Sequence, residues 1–497
     1  MNKHDYDLAI IGGGPAGVTA ALRAKELHAG RVVLIERDTL GGTCTNDGCV
    51  PMRVLAKAAR LIRDARQWNH FGLGDAKPAL AVGELMARVQ SVIAAMHDKK
   101  VIAHRLQTAG VDLAIGRGAA RFVDAHTLAI GDTGDTITAA KILICAGGHA
   151  VRPPFPGAEL AQSHSDLWNL ETVPKRVLIA GASATGCQAA SILRAFGAEQ
   201  VTLMETAPKL LPQEDAFVSE VVTAGFENSG IRVFTGTEGV SRIEKTGDAL
   251  AVTIDCGNNE TETVFADFVL LCVGWKANLD PLCLDAAHIE TEHGYVSVDD
   301  TLRSVSAPHV FAAGDINGRL MLVQTATEQA CIAAENAVRG TRRKDKQHIV
   351  PHGGFTEPEY ASVGLTEEKA REAEPDCVAA VAHLHEMDRA VIDGRTVGGC
   401  KLIVSRHTHH VLGAHIAGEE ATEIIHLCAG VMAGGLTVDA LARLELAYPT
   451  YSAVVGRAAH DVCRTLDLIP CASDETGEAC AAEWEFGAPS FHEAVLD

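Results

Sequence analysis

At 497 residues the chain is too long for one ordinary core, so two to four domains are expected. Hydrophobic residues make up 47%, charged residues 22% and aromatic residues 4%, a balance that suits an Ala/Gly/Val-rich α/β enzyme better than an all-β protein. The formal net charge of -21 disfavours nucleic acid and anionic membranes as partners, and no apolar run reaches the length of about 18 residues that a membrane span needs.

The first residues run directly into an apolar strand, without the basic start and small-residue cleavage site of a secretory signal, so a cytoplasmic location is expected. There the fourteen cysteines would be mostly reduced. "DLAIIGGGPAGVTAALRAKELHAGRVVLIER" predicts a strand over Leu8 to Ile11, a helix over Pro15 to His28 and a strand over Val32 to Ile35. Gly12, Gly14 and Gly17 form GxGxxG between strand and helix, where the backbone can approach a pyrophosphate seated on the helix N-terminus. Glu36, 19 residues past Gly17, ends the second strand, where its carboxylate can take a ribose hydroxyl.

"GGTCTNDGCVPMR", residues 41–53, then sets Cys44 and Cys49 five positions apart. A zinc clip would want four ligands, and no His or Cys recurs nearby to complete one. A pair of unrelated buried thiols and a redox couple are the other readings. The redox reading is favoured because Pro51 suits the first turn of the helix that "MRVLAKAARLIRDARQ" predicts, and Cys49 at that positive end would have a lowered pKa.

The nucleotide grammar returns 169 residues later in "RVLIAGASATGCQAASILRAFGAEQVTLMET". Gly181 and Gly186 hold the outer positions, Ser183 the middle one, and Glu205 again falls 19 residues past the last glycine. The acidic Glu205 disfavours a 2'-phosphate, so NADH is preferred to NADPH, with Lys209 the one nearby cation. A later strand, "HVFAAGDIN", ends at Gly314-Asp315, which makes Asp315 a candidate partner for a cofactor hydroxyl or, taken alone, equally an ordinary helix cap. The basic run at Arg342, Arg343, Lys344 and Lys346 reads as a solvated linker. His407, His409, His410 and His415 read as a solvated histidine-rich turn, and no metal site is expected.

GxGxxG with Glu36, GGTCxxxGCVP, "ICAGGHAVRPPFPG" (144–157), the second nucleotide motif, "VLLCVGWKANLD" and "VFAAGD" occur in an order that resembles the pyridine nucleotide-disulfide oxidoreductases. That family includes dihydrolipoamide dehydrogenase, glutathione reductase and mercuric reductase. The resemblance covers about residues 5 to 465, with "FTEPEYASVGLTEEKARE" similar to the opening of the family's dimerisation domain. It implies an α/β chain with two Rossmann-like FAD/NAD(P)-binding domains plus an α+β C-terminal dimerisation domain. The implied layout is an FAD domain in two segments, 1–150 and 271–347, an inserted NAD domain at 151–270, a dimerisation domain at 348–468 and an acidic tail at 469–497. It also implies a homodimer in which the Tyr448 segment completes the partner's active site.

The implied electron path runs from NADH to FAD and on to a Cys44/Cys49 disulfide, with Cys49 the flavin-proximal thiol and Cys44 the interchange thiol that meets a small-molecule acceptor. The implied cofactor-binding set is Gly12, Gly14, Gly17, Glu36, Gly42, Thr43, Arg53, Gly118, Gly147, Gly274 and Asp315 on the FAD side, with Gly181, Ser183, Gly186, Gln188 and Glu205 on the nicotinamide side.

Three departures narrow the activity. Where dithiol-specific members carry HPTxSE, "AYPTYSAVVG" puts Tyr448 for the His and Ala453 for the Glu, so the usual base is absent and a phenol with pKa near ~10 is a poor substitute. His460, further along the same predicted helix, is the other candidate. Beside the flavin, Arg53 keeps a positive charge while Gln188 replaces the family's Glu, which should favour a Cys49 thiolate. After Arg464 no Lys or Arg appears, eight acidic residues accumulate, and Cys471 and Cys480 stand nine apart. The expected function is an FAD-dependent NAD(P)H oxidoreductase acting on a disulfide, persulfide, soft metal ion or quinone. The alternatives are a dihydrolipoyl dehydrogenase with a replaced base and a flavin-bearing redox sensor or partner subunit.

Overall fold

The computed structural model describes residues 4–74, 78–132, 134–346 and 349–468, so the tail with Cys471 and Cys480 lies outside the described residues. The chain divides into two compact units, one of 1–154, 158–173 and 271–347, the other of 155–157, 174–270 and the described residues beyond 348.

In the first unit, strand β1 (Tyr6–Ile11) leads through the glycine turn to helix α1 (Pro15–Glu26) and strand β2 (Val32–Glu36). α1 stops short of the expected His28, which takes a left-handed conformation at φ 61° and ends the helix. Helix α2 (Gly42–Asn46) carries Cys44, and helix α3 (Cys49–Asp64) begins at Cys49. Met52, Leu55, Ala56 and Ala59 recur at helical spacing and bury one face of α3. Helix α4 (Val82–Lys100) packs on α3, and strand β3 (Val111–Ile115) follows.

The parallel sheet runs β3, β2, β1, then strand Asp135–Ile144, with Val310–Ala312 also paired to the latter. Ile11 is in register with Ile144, and Ile144 with Ala312. Gly12, Cys145 to Gly147, and Gly314-Asp315 therefore leave three neighbouring strands at one carboxyl edge, beside the change of strand order where open α/β sheets bind ligands. The basic run has no regular secondary structure, and its four cations are exposed. Arg343 reaches Glu335 at 3.1 Å and also pairs with Glu328, while Lys344 reaches Asp300 at 3.3 Å.

In the second unit, strands Ile231–Phe234, Gln200–Met204, Arg176–Ala180 and Phe268–Leu271 form a four-stranded sheet, followed by an antiparallel meander over Gly239–Ala266. A five-stranded antiparallel sheet takes the order His352–Gly354, Tyr360–Gly364, Val411–Ala417, Gly399–Val404, Val378–His383. Helix Ala453–Thr465 buries Val454, Val455, Ala458, Ala459 and Val462 in the core with this sheet, each buried valine contributing about 1.5–3 kcal/mol.

A polar network crosses this second unit. Glu214 meets His352 at 3.1 Å and accepts from Ser362 at 2.5 Å, while His415 meets Ser362 at 3.0 Å and the Leu365 carbonyl at 2.9 Å. Lys401 bridges Asp215 at 2.8 Å and Glu367 at 2.6 Å. His415 is thus a correction to the sequence reading. It is a buried strand residue whose imidazole is held below its ordinary pKa by burial, not part of a solvated turn. His407 does sit in an exposed turn, 3.5 Å from Asp376.

Candidate active site

Two glycine turns are built alike. Gly12 has φ 107° and Gly181 φ 95°, and a Cβ on Gly12 would come within 2.2 Å of the Cys145 carbonyl oxygen. A Cβ on Gly17 would come within 1.8 Å of the Gly12 oxygen, so that glycine lets α1 pack on the turn. Gly14 and Ser183, the N-caps of α1 and of helix Ala184–Phe196, share nearly one conformation, φ -76° and φ -77°, and neither supplies a side-chain cap. Ser183 therefore fits the backbone as well as glycine does. Both helices keep their first-turn N–H groups open to an anion.

The acidic residues repeat as well. Glu36 accepts from Gly13 N–H at 2.6 Å and Asp38 N–H at 2.9 Å. Glu205 accepts from Ala182 N–H at 2.7 Å and Ala207 N–H at 3.0 Å. Each carboxylate is fixed beside its turn at the end of the second strand.

The cysteine helix docks on the first turn. Gly41 N–H donates to the Gly13 carbonyl at 2.9 Å, and a Cβ on Gly42 would lie 2.7 Å from Gly14 Cα. Thr43 is exposed on α2, and its carbonyl accepts from Asp47 N–H at 2.8 Å. Asp315 is half-buried at the sheet edge and accepts from Trp275 Nε1 at 2.9 Å, while Gly314 packs against Ala16 of α1. Gly147 and Gly274 flank the paired strands Gly148–Ala150 and Trp275–Ala277, and Gly118 N–H reaches the Arg37 carbonyl at 3.4 Å. Arg53 lies half-buried on α3.

Cys44 and Cys49 are adjacent thiols with opposed chemistry. The Cys44 S–H donates to Cys49, which, against the burial that opposes it, brings Cys49 down to about 7. The Cys49 backbone N–H at the start of α3 and the charge of Lys100 act the same way, and Asp315 opposes them. Cys44 is pushed far up by the same hydrogen bond, by burial and by the charge of Cys49. Sequence reasoning sought the cation in Arg53 and missed Lys100, at the C-terminus of α4, whose Nζ donates to Thr45 Oγ1 at 2.8 Å.

It also missed the partners of Asp47, the acid between the two cysteines. Ser165 Oγ donates to Asp47 at 2.7 Å, Trp168 Nε1 at 3.2 Å, and His164 Nε2 lies 3.6 Å away. Burial would raise the Asp47 carboxyl, yet contacts from His164, Ser165 and Trp168 hold it below its ordinary value. The His164 ring sits 5.6 Å from both the Trp168 and Trp275 rings.

In the second unit, Gln188 Nε2 donates to the Ala184 carbonyl at 3.0 Å, and its Oε1 accepts from Phe355 N–H at 3.3 Å. Lys209 donates to the Glu214 carbonyl at 2.6 Å. Tyr448 is exposed, with its hydroxyl donating to Asp388 at 2.5 Å, and His460 lies on helix Ala453–Thr465. Glu374, Asp376 and His407 form one three-residue group among the described residues that could hold a cation, largely exposed.

The family profile described as pyridine nucleotide-disulphide oxidoreductase matches residues 6–330, and that of its dimerisation domain matches residues 350–459. The chain belongs to the pyridine nucleotide-disulphide oxidoreductases. It is 31% identical over 451 residues to the mercuric reductase of Bacillus cereus, covering 90% of this chain and 70% of that protein. Dihydrolipoyl dehydrogenase of Chlorobaculum tepidum is 29% identical over 466 residues, covering 93% and 98%. The HOCl-induced flavoprotein disulfide reductase RclA from Escherichia coli superposes with a TM-score of 0.80 at 26% identity, covering 92% and 99%. LpdA from Mycobacterium tuberculosis superposes at 0.82 and 26%, also covering 92% and 99%.

The enzyme is therefore an NAD(P)H-dependent flavoprotein disulfide oxidoreductase of two Rossmann-like parts and a dimerisation domain, and its family uses FAD and NAD(P)H. The residues fit FAD: an uncapped helix start at Gly14, a turn that no Cβ may enter, and a half-buried carboxyl at Asp315 raised by desolvation meet at one sheet edge. No described helix is long and apolar enough to cross a membrane.

Proposed function

We propose that this enzyme takes electrons from NADH and delivers them through Cys44/Cys49 to a thiol-reactive small molecule: a soft metal ion, a disulfide or persulfide, or a quinone. The observation that carries the reading is the hydrogen-bonded Cys44/Cys49 pair at the start of α3, on a helix turn whose Gly42 packs on Gly14 of the first glycine turn. FAD, when bound, supplies the two-electron relay between nicotinamide and the cysteine pair. Cleavage of the Cys44–Cys49 bond by an electron pair leaves Cys49 as thiolate, and Cys44 takes the proton that it then shares with Cys49. Cys44 is the interchange thiol that meets the acceptor, and the neighbouring Cys49 thiolate accepts the Cys44 proton as that thiol attacks.

The proposed layout joins 1–150 and 271–347 as the FAD domain, with 151–270 binding NADH and 348–468 forming the interface of a homodimer. Gly12, Gly14, Gly17, Glu36, Gly42, Thr43, Arg53, Gly118, Gly147, Gly274 and Asp315 would hold FAD, and Gly181, Ser183, Gly186, Gln188 and Glu205 would hold NADH. Tyr448 would act across the dimer. A soft cation heads the acceptor group because mercuric reductases are 31% identical and the E. coli RclA is also solved as a Cu(II) complex.

Dihydrolipoyl dehydrogenase is the second reading, supported by relatives near 30% identity. The Tyr448 hydroxyl, engaged as a donor to Asp388, weighs against it, since a phenol in that role takes no proton from a dithiol. An anaerobic NADH assay over Hg(II), Cu(II), lipoamide, glutathione disulfide and quinones separates the readings. Brisk NAD reduction by dihydrolipoamide would favour the second, and negligible turnover on every acceptor would reject both.

A further inference from the structure

The turn between the two cysteines is tied to the last turn of α4. His97 and Lys100, three residues apart and so on one helix face, reach neighbouring turn residues: His97 Nε2 meets Asn46 Oδ1 at 2.8 Å, and Lys100 Nζ donates to Thr45 Oγ1 at 2.8 Å. Thr45 is buried and directly follows Cys44. Asn46 is held a second time, donating to the Leu40 carbonyl at 3.2 Å. A lysine parked on one hydroxyl uses one of its three donors, so its charge is placed without being neutralised.

We propose that Lys100 is a positioning residue of the redox pair: its ammonium, pinned by Thr45 inside the turn, is the fixed positive charge that favours the dithiol over the disulfide. Reduction breaks the Sγ–Sγ bond with an electron pair, adds one proton at Cys44 and leaves Cys49 as thiolate, so one negative charge is created beside this cation. The charge of Lys100 lowers the pKa of both thiols. Of the other groups facing the pair, the Cys49 backbone N–H at the start of α3 acts in the same direction but carries no net charge. Asp315 is a carboxyl that opposes the thiolate, and Asp47 is an acid already engaged by Ser165, Trp168 and His164. The inference rests on Cys44/Cys49 being a redox couple.

The test uses the FAD-loaded full chain of wild type, Lys100→Gln, Lys100→Arg and Thr45→Val, equilibrated in reduced and oxidised dithiothreitol mixtures. Peptide mass spectrometry of alkylated Cys44 and Cys49 reads the reduced fraction, and the pH dependence of Cys49 alkylation is taken in parallel. At pH 9, where Cys49 of the reduced pair is ionised, Lys100→Gln should need about three- to ten-fold more reduced dithiothreitol for half-reduction. Its Cys49 alkylation should slow about three- to ten-fold below pH 7, equal to a pKa rise of about half to one unit. Lys100→Arg should stay within about two-fold of wild type, and Thr45→Val, which frees the ammonium without removing it, should fall between.

A Lys100→Gln protein with both readouts unchanged overturns the role of Lys100 alone. If it does not load FAD, Thr45→Val decides, and unchanged readouts there overturn the proposal. A wild type whose Cys44 and Cys49 do not become alkylatable on reduction by NADH overturns this inference and the redox reading together.

Discussion

Cys44→Ala removes the hydrogen-bond donor that most lowers the Cys49 pKa. With that value at about 7, about half of Cys49 is thiolate at pH 7, and the fraction falls as pH drops through the same point. Without the Cys44 thiol, burial and the Asp315 charge oppose ionisation with less to offset them, and Cys49 should return to or above the ordinary ~8.5, leaving about 3% thiolate at pH 7. Cys49 presents surface to solvent, which screens part of the effect, so a fall of about five- to fifteen-fold in reactivity at pH 7 is expected. Iodoacetamide alkylation of the reduced protein from pH 5.5 to 9.5, read on the Cys49 peptide, measures it. A Cys44→Ala midpoint still within about half a unit of 7 would refute the hydrogen bond as the cause.

Lys401→Met strands the Asp215 and Glu367 carboxylates in a largely buried site and should cost about 3–5 kcal/mol in urea unfolding; a loss below about 1 kcal/mol would contradict that. Burial opposes the His352 imidazolium, but Glu214 outweighs it and raises its pKa, while the Glu214 carboxyl itself is lowered. The ion pair is thus complete between about pH 4.3 and 6.5 and is lost as pH rises through the raised His352 value, so the stability gap between wild type and Glu214→Gln should narrow from pH 6 to pH 9 in thermal melts. Glu205→Ala removes a like charge beside the second turn and should raise the NADPH-to-NADH ratio of kcat/KM several-fold, with an unchanged ratio contradicting its role in coenzyme choice.

Both nucleotide turns were legible in the sequence because strand, glycines, helix and acid fall within about 30 residues, a span that local spacing reports. The cysteine pair was legible through Pro51, which fixed the start of α3. Lys100 was not, because it lies 55 residues from Thr45 on a helix with nothing to mark its face. Ser165 and Trp168 lie 118 and 121 residues from Asp47, although an acid inside that turn was itself a signal that partners were needed. His415 was misplaced because its neighbours in sequence are turn histidines. The near-continuous apolar run "VLGAHIA" marks a strand, and both faces of that strand are covered.

An anaerobic titration of the purified FAD-loaded protein with NADH tests the central claim most directly. The enzyme should take up one electron pair more per protomer than its flavin holds, with Cys44 and Cys49 becoming alkylatable as the extra pair enters. Uptake that ends at the flavin, with both thiols still protected, would contradict it.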